Sequence, residues 1–178
     1  MYKELGQRVS VKFITQSAAI AAIYVVLTLV FAPFSFGAVQ VRVSEALSIL
    51  PLFTAAAVPG LFLGCILANW LGGAIALDII FGSLATLIGA AIGFRLRSNR
   101  WLVPVPTVLS NTLIIPLVLH YGYRVEVPLF AIVLYIAGGE ILGSYLLGEI
   151  LATVLMHHSK KLFRQERNGG SKTGNTHG

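Results

Sequence analysis

The chain consists of long apolar runs separated by short polar or Pro/Gly breaks. The runs cover residues 13–34, 45–58, 60–77, 79–94, 101–119 and 128–157. Several of them approach the length of about 20 residues that crosses a bilayer as a helix. The pattern predicts an all-α fold. The protein would be a polytopic membrane protein, with a bundle of six transmembrane helices over residues 13–157.

The second and third runs meet at Pro59-Gly60, which marks either a turn between two helices or a kink in one. A single helix over residues 45–77 would be about 50 Å long, well beyond a hydrocarbon core of about 30 Å. With six spans, eleven of the thirteen Lys and Arg residues fall on one side, and only Arg42 and Arg124 on the other. By the positive-inside rule, both termini are predicted to be cytoplasmic.

Composition agrees with a membrane location. Of the 178 residues, 56% are apolar and only 11% are charged, and the mean hydropathy is +0.83. Soluble domains carry about 25% charged residues. Residues 1–12 are predicted to be a cytoplasmic basic N-terminus and residues 158–178 a basic, partly disordered cytoplasmic tail. These segments account for much of the net charge of +6, so no nucleic-acid partner is predicted.

Six polar residues from five predicted helices fall in the outer half of the bundle. They are Arg42, Glu45, Asn69, Asp78, Asn111 and Glu140. Charged groups are costly in hydrocarbon, so such residues pair, reach water or bind a polar ligand. Their convergence predicts a substrate-binding pocket. The alternating segment 38–44 would lie across this pocket as a lid.

Structural explanations for these residues remain open. Glu45 at the first turn of a helix would face the helix dipole, and Asp78 would serve as an N-cap. Asn69 and Asn111 would form hydrogen bonds between helices. Glu140 is the hardest to explain in this way, because a carboxylate in mid-span beside three glycines needs a partner.

Small residues recur at four-residue spacing along the first helix. Ser17 with Ala21 and Ala18 with Ala22 form two such pairs, and Gly60 with Gly64 forms another on the third helix. This spacing lets helices approach closely. Ala18 and Ala22 are candidates for docking a separate membrane subunit, and contacts within the bundle are the alternative.

Motifs for catalysis are largely missing from the sequence. It contains no H-E-x-x-H pair, no cysteine cluster and no G-x-x-x-x-G-K-[ST] loop, so no metal, cofactor or ATP site is predicted. A binding subunit that does not power transport by itself fits best. An ion- or proton-conducting channel lined by Glu45 and Glu140 is the alternative, and an intramembrane enzyme comes third.

Three segments resemble the QueT-type queuosine-precursor transporters, which are substrate-binding S components of energy-coupling factor (ECF) transporters. The segments are VQVRVSEAL at residues 39–47, PGLFLGC at 59–65 and LDIIFGSLAT at 77–86. The resemblance extends over about residues 10–160, and the run from Arg42 to Glu45 is its most specific part.

The resemblance implies a subunit of the bacterial cell membrane that binds its ligand from outside and is not itself an enzyme. It would assemble with a transmembrane scaffold subunit and two ABC ATPases, and the Ala18/Ala22 face matches the place where S components meet the scaffold. The implied ligand is a 7-deazaguanine derivative. The leading candidate is 7-aminomethyl-7-deazaguanine (preQ1), followed by queuine or queuosine, and another small vitamin-like solute is the alternative.

The candidate residues suit such a ligand chemically. A guanine-like edge offers two adjacent donors that Glu140 or Glu45 would accept, and an aminomethyl cation would bind Asp78 or the remaining glutamate. Asn69 and Asn111 would complete the hydrogen bonds. Arg42 is expected to pair with Glu45, and Trp70 and Tyr135 are candidate stacking surfaces.

Overall fold

The computed structural model describes residues 11–32 and 42–158. The described part is entirely helical and contains no strand, which confirms the predicted all-α class for these residues. Most of the predicted N-terminal segment 1–12, of the lid 38–44 and of the tail 158–178 lies outside the described residues. The predictions for these three segments therefore stay predictions.

Six helices make up the described bundle. They are α1 (Val11–Val30), α2 (Val43–Leu52), α3 (Ala57–Leu71), α4 (Ala76–Arg95), α5 (Val105–Leu117) and α6 (Leu129–Glu140). A π-helical turn extends α5 to Gly122, and α6 continues through a π-helical stretch to His158. Four of these helical segments are long and apolar enough to cross a membrane, whereas α2 and α3 are shorter.

The boundary between α2 and α3 lies earlier than the sequence predicted. The chain turns at residues 53–56, and Pro59 and Gly60 lie in the first turn of α3. Proline is tolerated there because an N–H in the first turn of a helix has no partner within the helix. The prediction of two helices is correct, but the break at Pro59-Gly60 is wrong.

Helix α2 forms the centre of the bundle. It is a 3-10 helix of ten residues, seven of which are buried. At about 2.0 Å per residue it is about 20 Å long. A Cβ atom at Gly143 would lie 2.8 Å from the carbonyl oxygen of Arg42, so glycine there lets α6 approach the start of α2. The hydroxyls of Ser48 and Ser144, 2.7 Å apart, join the same two helices.

This contact places the start of α2 deep in the bundle. Gly143 lies fourteen residues after Leu129, which corresponds to about 20 Å along α6. Arg42 and Glu45 are 6% and 1% exposed. Both residues lie inside the fold, because α2 is short and begins well below the outer start of α6.

Helices α1 and α3 pack closely through small residues. A Cβ atom at Gly60 would lie 2.8 Å from the Ser17 carbonyl oxygen, and one at Gly64 would lie 3.1 Å from the Cα atom of Ala21. The pair Ser17 and Ala21 therefore faces inward. The other pair, Ala18 and Ala22, lies about 100° further around α1 and is exposed.

Both ends of the described chain lie at the same end of the bundle. Near the start of α1, the hydroxyl of Ser17 donates to the carbonyl oxygen of Ala56 in the α2–α3 turn, at 3.0 Å. At that end, Ile49 of α2 also packs with Val103 of the α4–α5 connection and with Ala152 of α6. Arg100 in the α4–α5 connection pairs there with Glu149 of α6 at 2.9 Å.

Candidate substrate-binding site

Arg42 and Asp78 form a buried ion pair between the start of α2 and the first turn of α4. The Arg42 Nη2 and Asp78 Oδ2 atoms are 3.8 Å apart. The Tyr123 hydroxyl donates to the same Oδ2 atom at 3.2 Å and accepts a hydrogen bond from the Ile75 N–H, also at 3.2 Å. Tyr123 thereby ties the α5–α6 loop to the α3–α4 turn beside Asp78.

Asn69 joins this group from the last turns of α3. Its amide donates to the backbone carbonyl of Asp78 at 3.3 Å and to the Cys65 sulfur at 3.6 Å. Gly82 leaves the space between the two side chains open, since a Cβ atom there would lie 3.0 Å from Asp78 Oδ1. Asp78 is not the N-cap of α4, because Ile75 occupies that position and Asp78 belongs to the first turn.

Glu45 is held by α1. The Tyr24 hydroxyl donates to Glu45 Oε1 at 2.6 Å, and one turn further along α1 the Thr28 hydroxyl donates to Ser44 at 2.7 Å. The sequence reasoning missed Tyr24 and Thr28. The available signal was their spacing, because they continue the inward stripe of Ser17 and Ala21 at steps of three and four residues.

Glu140 and Asn111 form the third contact of the site, between α5 and α6. The Asn111 amide donates to Glu140 Oε1 at 2.9 Å, and both side chains are buried. Glu140 lies close enough to Glu45 for their carboxylates to repel each other, and Arg42 is close enough to attract both. The six polar residues predicted from the sequence are therefore brought together in one buried cluster.

Four oxygen atoms of this cluster have no hydrogen-bond partner within residues 11–32 and 42–158. They are Glu45 Oε2, Asn69 Oδ1, Asp78 Oδ1 and Glu140 Oε2. Leaving a buried acceptor without a partner costs about 1–3 kcal/mol. A ligand that brings several N–H donors, or a cationic group, would satisfy these atoms. In the described part of the chain, no group of three or more His, Cys, Asp or Glu side chains is arranged to hold a metal ion.

Two secondary expectations are corrected. The ion pair of Arg42 among the described residues is with Asp78, whereas the sequence suggested Glu45. Trp70 and Tyr135 are 66% and 46% exposed, so they face away from the buried cluster. Both differences depend on how the helices are rotated about their axes and on how deeply α2 lies in the bundle. The pattern of apolar residues along the chain reveals neither property.

An apolar groove lies on the outer surface of α4 and α5. Its volume is about 460 Å³, and Leu77, Phe81, Ile114 and Leu117 contribute to its lining. This lining is almost wholly apolar, so the groove does not offer the hydrogen-bonding groups of the buried cluster.

Comparison with known families identifies the chain. The family model described as the QueT transporter matches residues 14–157. The chain belongs to the QueT transporter family. This confirms the resemblance drawn from the three sequence segments. Four helical segments of the described part are long and apolar enough to cross a membrane, which agrees with the predicted multi-pass membrane protein.

One curated QueT relative is the queuosine precursor transporter QueT of Lactococcus lactis subsp. cremoris (strain MG1363). The two chains are 35% identical over 81 residues, which is 44% of this chain and 47% of the relative. The chain thus spans about half the length of the curated relative it matches. No solved structure matches the chain.

Proposed function

We propose that this protein is the substrate-binding S component of an ECF-type ABC importer that takes up a queuosine precursor. The preferred ligand is preQ1, and queuine or queuosine comes next. Membership of the QueT family supports transport, and the name of the Lactococcus relative supports the ligand class.

The observation that carries the proposal is the set of four buried oxygen atoms without a described partner. The guanine edge of a 7-deazaguanine presents the N1–H and the exocyclic amine as adjacent donors. The carboxylate of either Glu140 or Glu45 would accept both. The aminomethyl group of preQ1 is a cation and brings further donors, which suits a site with three carboxylates and one arginine.

The residues divide between ligand contact and support. We assign Glu140 or Glu45 to the guanine edge and Asp78 or the other glutamate to the amine. Asn111 steadies Glu140 from α5. Arg42 offsets the charge of Asp78. The Oδ1 atom of Asn69 would accept a further hydrogen bond from the ligand.

Partners are proposed from the exposed side of α1. Ala18 and Ala22 form a small-residue surface that is not used inside the described bundle. A helix of a scaffold subunit would pack closely against such a surface. The scaffold would bring two ABC ATPases, because this sequence carries no ATP-binding loop of its own.

The proposal includes six membrane crossings with both termini in the cytoplasm. The α1 start and α6 end lie at one end of the bundle, together with the basic α4–α5 connection. That arrangement agrees with an even number of crossings. The short helices α2 and α3 would contribute to the second and third crossings of the membrane while surrounded by the four longer helices.

Mass spectrometry of small molecules that co-purify with the protein would test the ligand. We expect preQ1, and a titration of the emptied protein should then give saturable binding. Recovery of a different vitamin-like solute would replace the ligand but keep the S-component assignment. Ion or proton conduction by the protein alone in liposomes would favour the channel lined by Glu45 and Glu140 instead.

A further inference from the structure

Tyr24 is a polar side chain buried in the middle of α1. It is 1% exposed, and its hydroxyl donates to Glu45 Oε1 at 2.6 Å. This distance is at the short end for an O–H···O bond and is typical of a carboxylate acceptor. Tyr24 therefore joins α1 directly to the cluster of the proposed ligand site.

The surroundings of Tyr24 fix the direction of its hydroxyl. A Cβ atom at Gly64 would lie 2.8 Å from the Tyr24 Cβ atom, so only glycine lets α3 pack this closely on Tyr24. The residue also belongs to a core cluster with Leu61, Cys65 and Ala68. A tyrosine side chain has two rotatable torsions, whereas a glutamate side chain has three. Held in such packing, the tyrosine is therefore the more rigid of the two.

The two oxygens of Glu45 have different environments. Oε1 accepts from Tyr24, and Oε2 has no hydrogen-bond partner in the described part of the chain. A carboxylate anchored at one oxygen keeps its plane, and its other oxygen keeps a defined direction. Without that anchor the side chain would be free to turn toward Arg42, which attracts it.

We propose that Tyr24 is a positioning residue of the ligand site, which holds Glu45 through Oε1 so that Oε2 receives a donor of the ligand. This inference rests on the proposed function. It also assigns α1 two roles, because this helix exposes Ala18 and Ala22 on its outer face. Ligand binding at Glu45 is thereby linked through Tyr24 to the helix that carries the docking surface.

The variant Tyr24→Phe tests the inference, since it keeps the ring and removes the hydroxyl. The matched control is Thr28→Val, which removes the buried hydrogen bonds of the Thr28 hydroxyl to Ser44 and to the Tyr24 backbone carbonyl but none to the Glu45 carboxylate. In titrations of the full chain in lipid nanodiscs, Y24F should weaken preQ1 binding about tenfold. The control should change it by less than about twofold.

Non-additivity gives a second readout that a general packing defect would not produce. In a Glu45→Ala background, Tyr24→Phe should cause little further loss of preQ1 affinity, because the acceptor of the Tyr24 hydroxyl is already gone. Thr28→Val should have the same small effect in both backgrounds. Full additivity of Y24F and E45A would overturn the inference.

Infrared spectroscopy of the ligand-free protein separates this inference from the proposed function. The carboxyl band of Glu45, assigned by difference from E45Q, should shift in Y24F and stay in place in T28V. An unshifted band, or wild-type preQ1 affinity in Y24F, would overturn the inference. Failure of the wild type to bind preQ1 would instead overturn the proposed ligand, and the infrared comparison would still decide the role of Tyr24.

Discussion

Glu140 shows how a charged residue is kept inside an apolar bundle. Asn111 donates to one carboxylate oxygen, while the other oxygen has no partner among residues 11–32 and 42–158. Glu45 follows the same scheme with Tyr24 as its donor. In both residues the protein satisfies half of the carboxylate, and the remaining half is what a ligand would bind.

Replacing Glu140 by Gln is expected to weaken preQ1 binding by at least about 1.5 kcal/mol, the lower range for hydrogen bonds to charged groups. Glutamine keeps the size of the side chain but loses the charge and one acceptor. Isothermal titration of the purified protein measures the change. The matched control is Glu149→Gln on the same helix, which lies beside Arg100 and should leave affinity unchanged. Unchanged affinity in E140Q would remove Glu140 from the site.

Tyr123 gives a prediction about alkaline pH. Burial, together with the nearby charge of Asp78, raises the pKa of Tyr123 above its ordinary value. The folded protein thus holds this proton more tightly than the unfolded chain does. The stability that Tyr123 contributes should be present below about pH 10 and be lost as the pH rises further. Thermal unfolding from pH 8 to 11 should show a steeper loss for wild type than for Tyr123→Phe, and parallel curves would contradict this.

At the scale of the element, α1 shows what sequence patterning reveals and what it leaves open. The spacing of its small residues predicted close helix packing. The pairs Ser17/Ala21 and Ala18/Ala22 are offset by a single residue, which is about 100° around a helix. Patterning alone does not say which pair faces inward. The positions of Gly60 and Gly64 on α3 decide this, because they leave room against Ser17 and Ala21.

Bulky residues on the outer face of α1 should separate binding from assembly. Ala18→Leu and Ala22→Leu are expected to leave preQ1 binding intact and to abolish co-purification with the scaffold subunit. Ala21→Leu is the contrasting variant, because it points into the packed α1–α3 contact and should lower the unfolding temperature instead. Scaffold retained by both outer-face variants would refute the docking proposal.

Helix α2 marks the limit of prediction at this scale. Its apolar residues predicted a helix over residues 45–58, but the helix ends at Leu52 and has 3-10 geometry. Seven of the ten residues of α2 are buried, on most of its sides. The spacing of its apolar residues therefore did not distinguish a 3-10 helix from an α-helix. Contacts with Gly143 and Ser144 of α6 set its depth, and such tertiary contacts are not visible in a local pattern.

At the scale of the whole molecule, hydropathy predicted the order of the helices α1 to α6 within residues 11–32 and 42–158. The residue types of the cluster were also predicted, because a charge in an apolar chain is conspicuous. Its pairings were not, since the partner of Arg42 depends on how deeply α2 lies and how α4 is rotated. Asp78 of α4, and not the neighbouring Glu45, forms the described ion pair with Arg42.

Cysteine labelling tests the proposed topology. Ser98→Cys in the α4–α5 connection and Glu126→Cys in the α5–α6 loop would lie on opposite sides of the membrane. An impermeant thiol reagent added to intact cells should label E126C and leave S98C unlabelled. The natural Cys65 is buried, so the wild type is the unlabelled control. Labelling of S98C alone would invert the topology, and labelling of both would contradict the crossing between them.

The four cluster oxygens that lack a partner in the described part of the chain affect how the site would discriminate between related molecules. Guanine nucleotides share the guanine edge of the proposed ligands, but they also carry phosphate groups. Phosphate oxygens are acceptors and bear negative charge, so they cannot donate to Glu45 Oε2, Asp78 Oδ1 or Glu140 Oε2. Like charges in a medium of low dielectric repel strongly. The site would thus reject phosphorylated guanine compounds by electrostatics, before any difference in their shape becomes important.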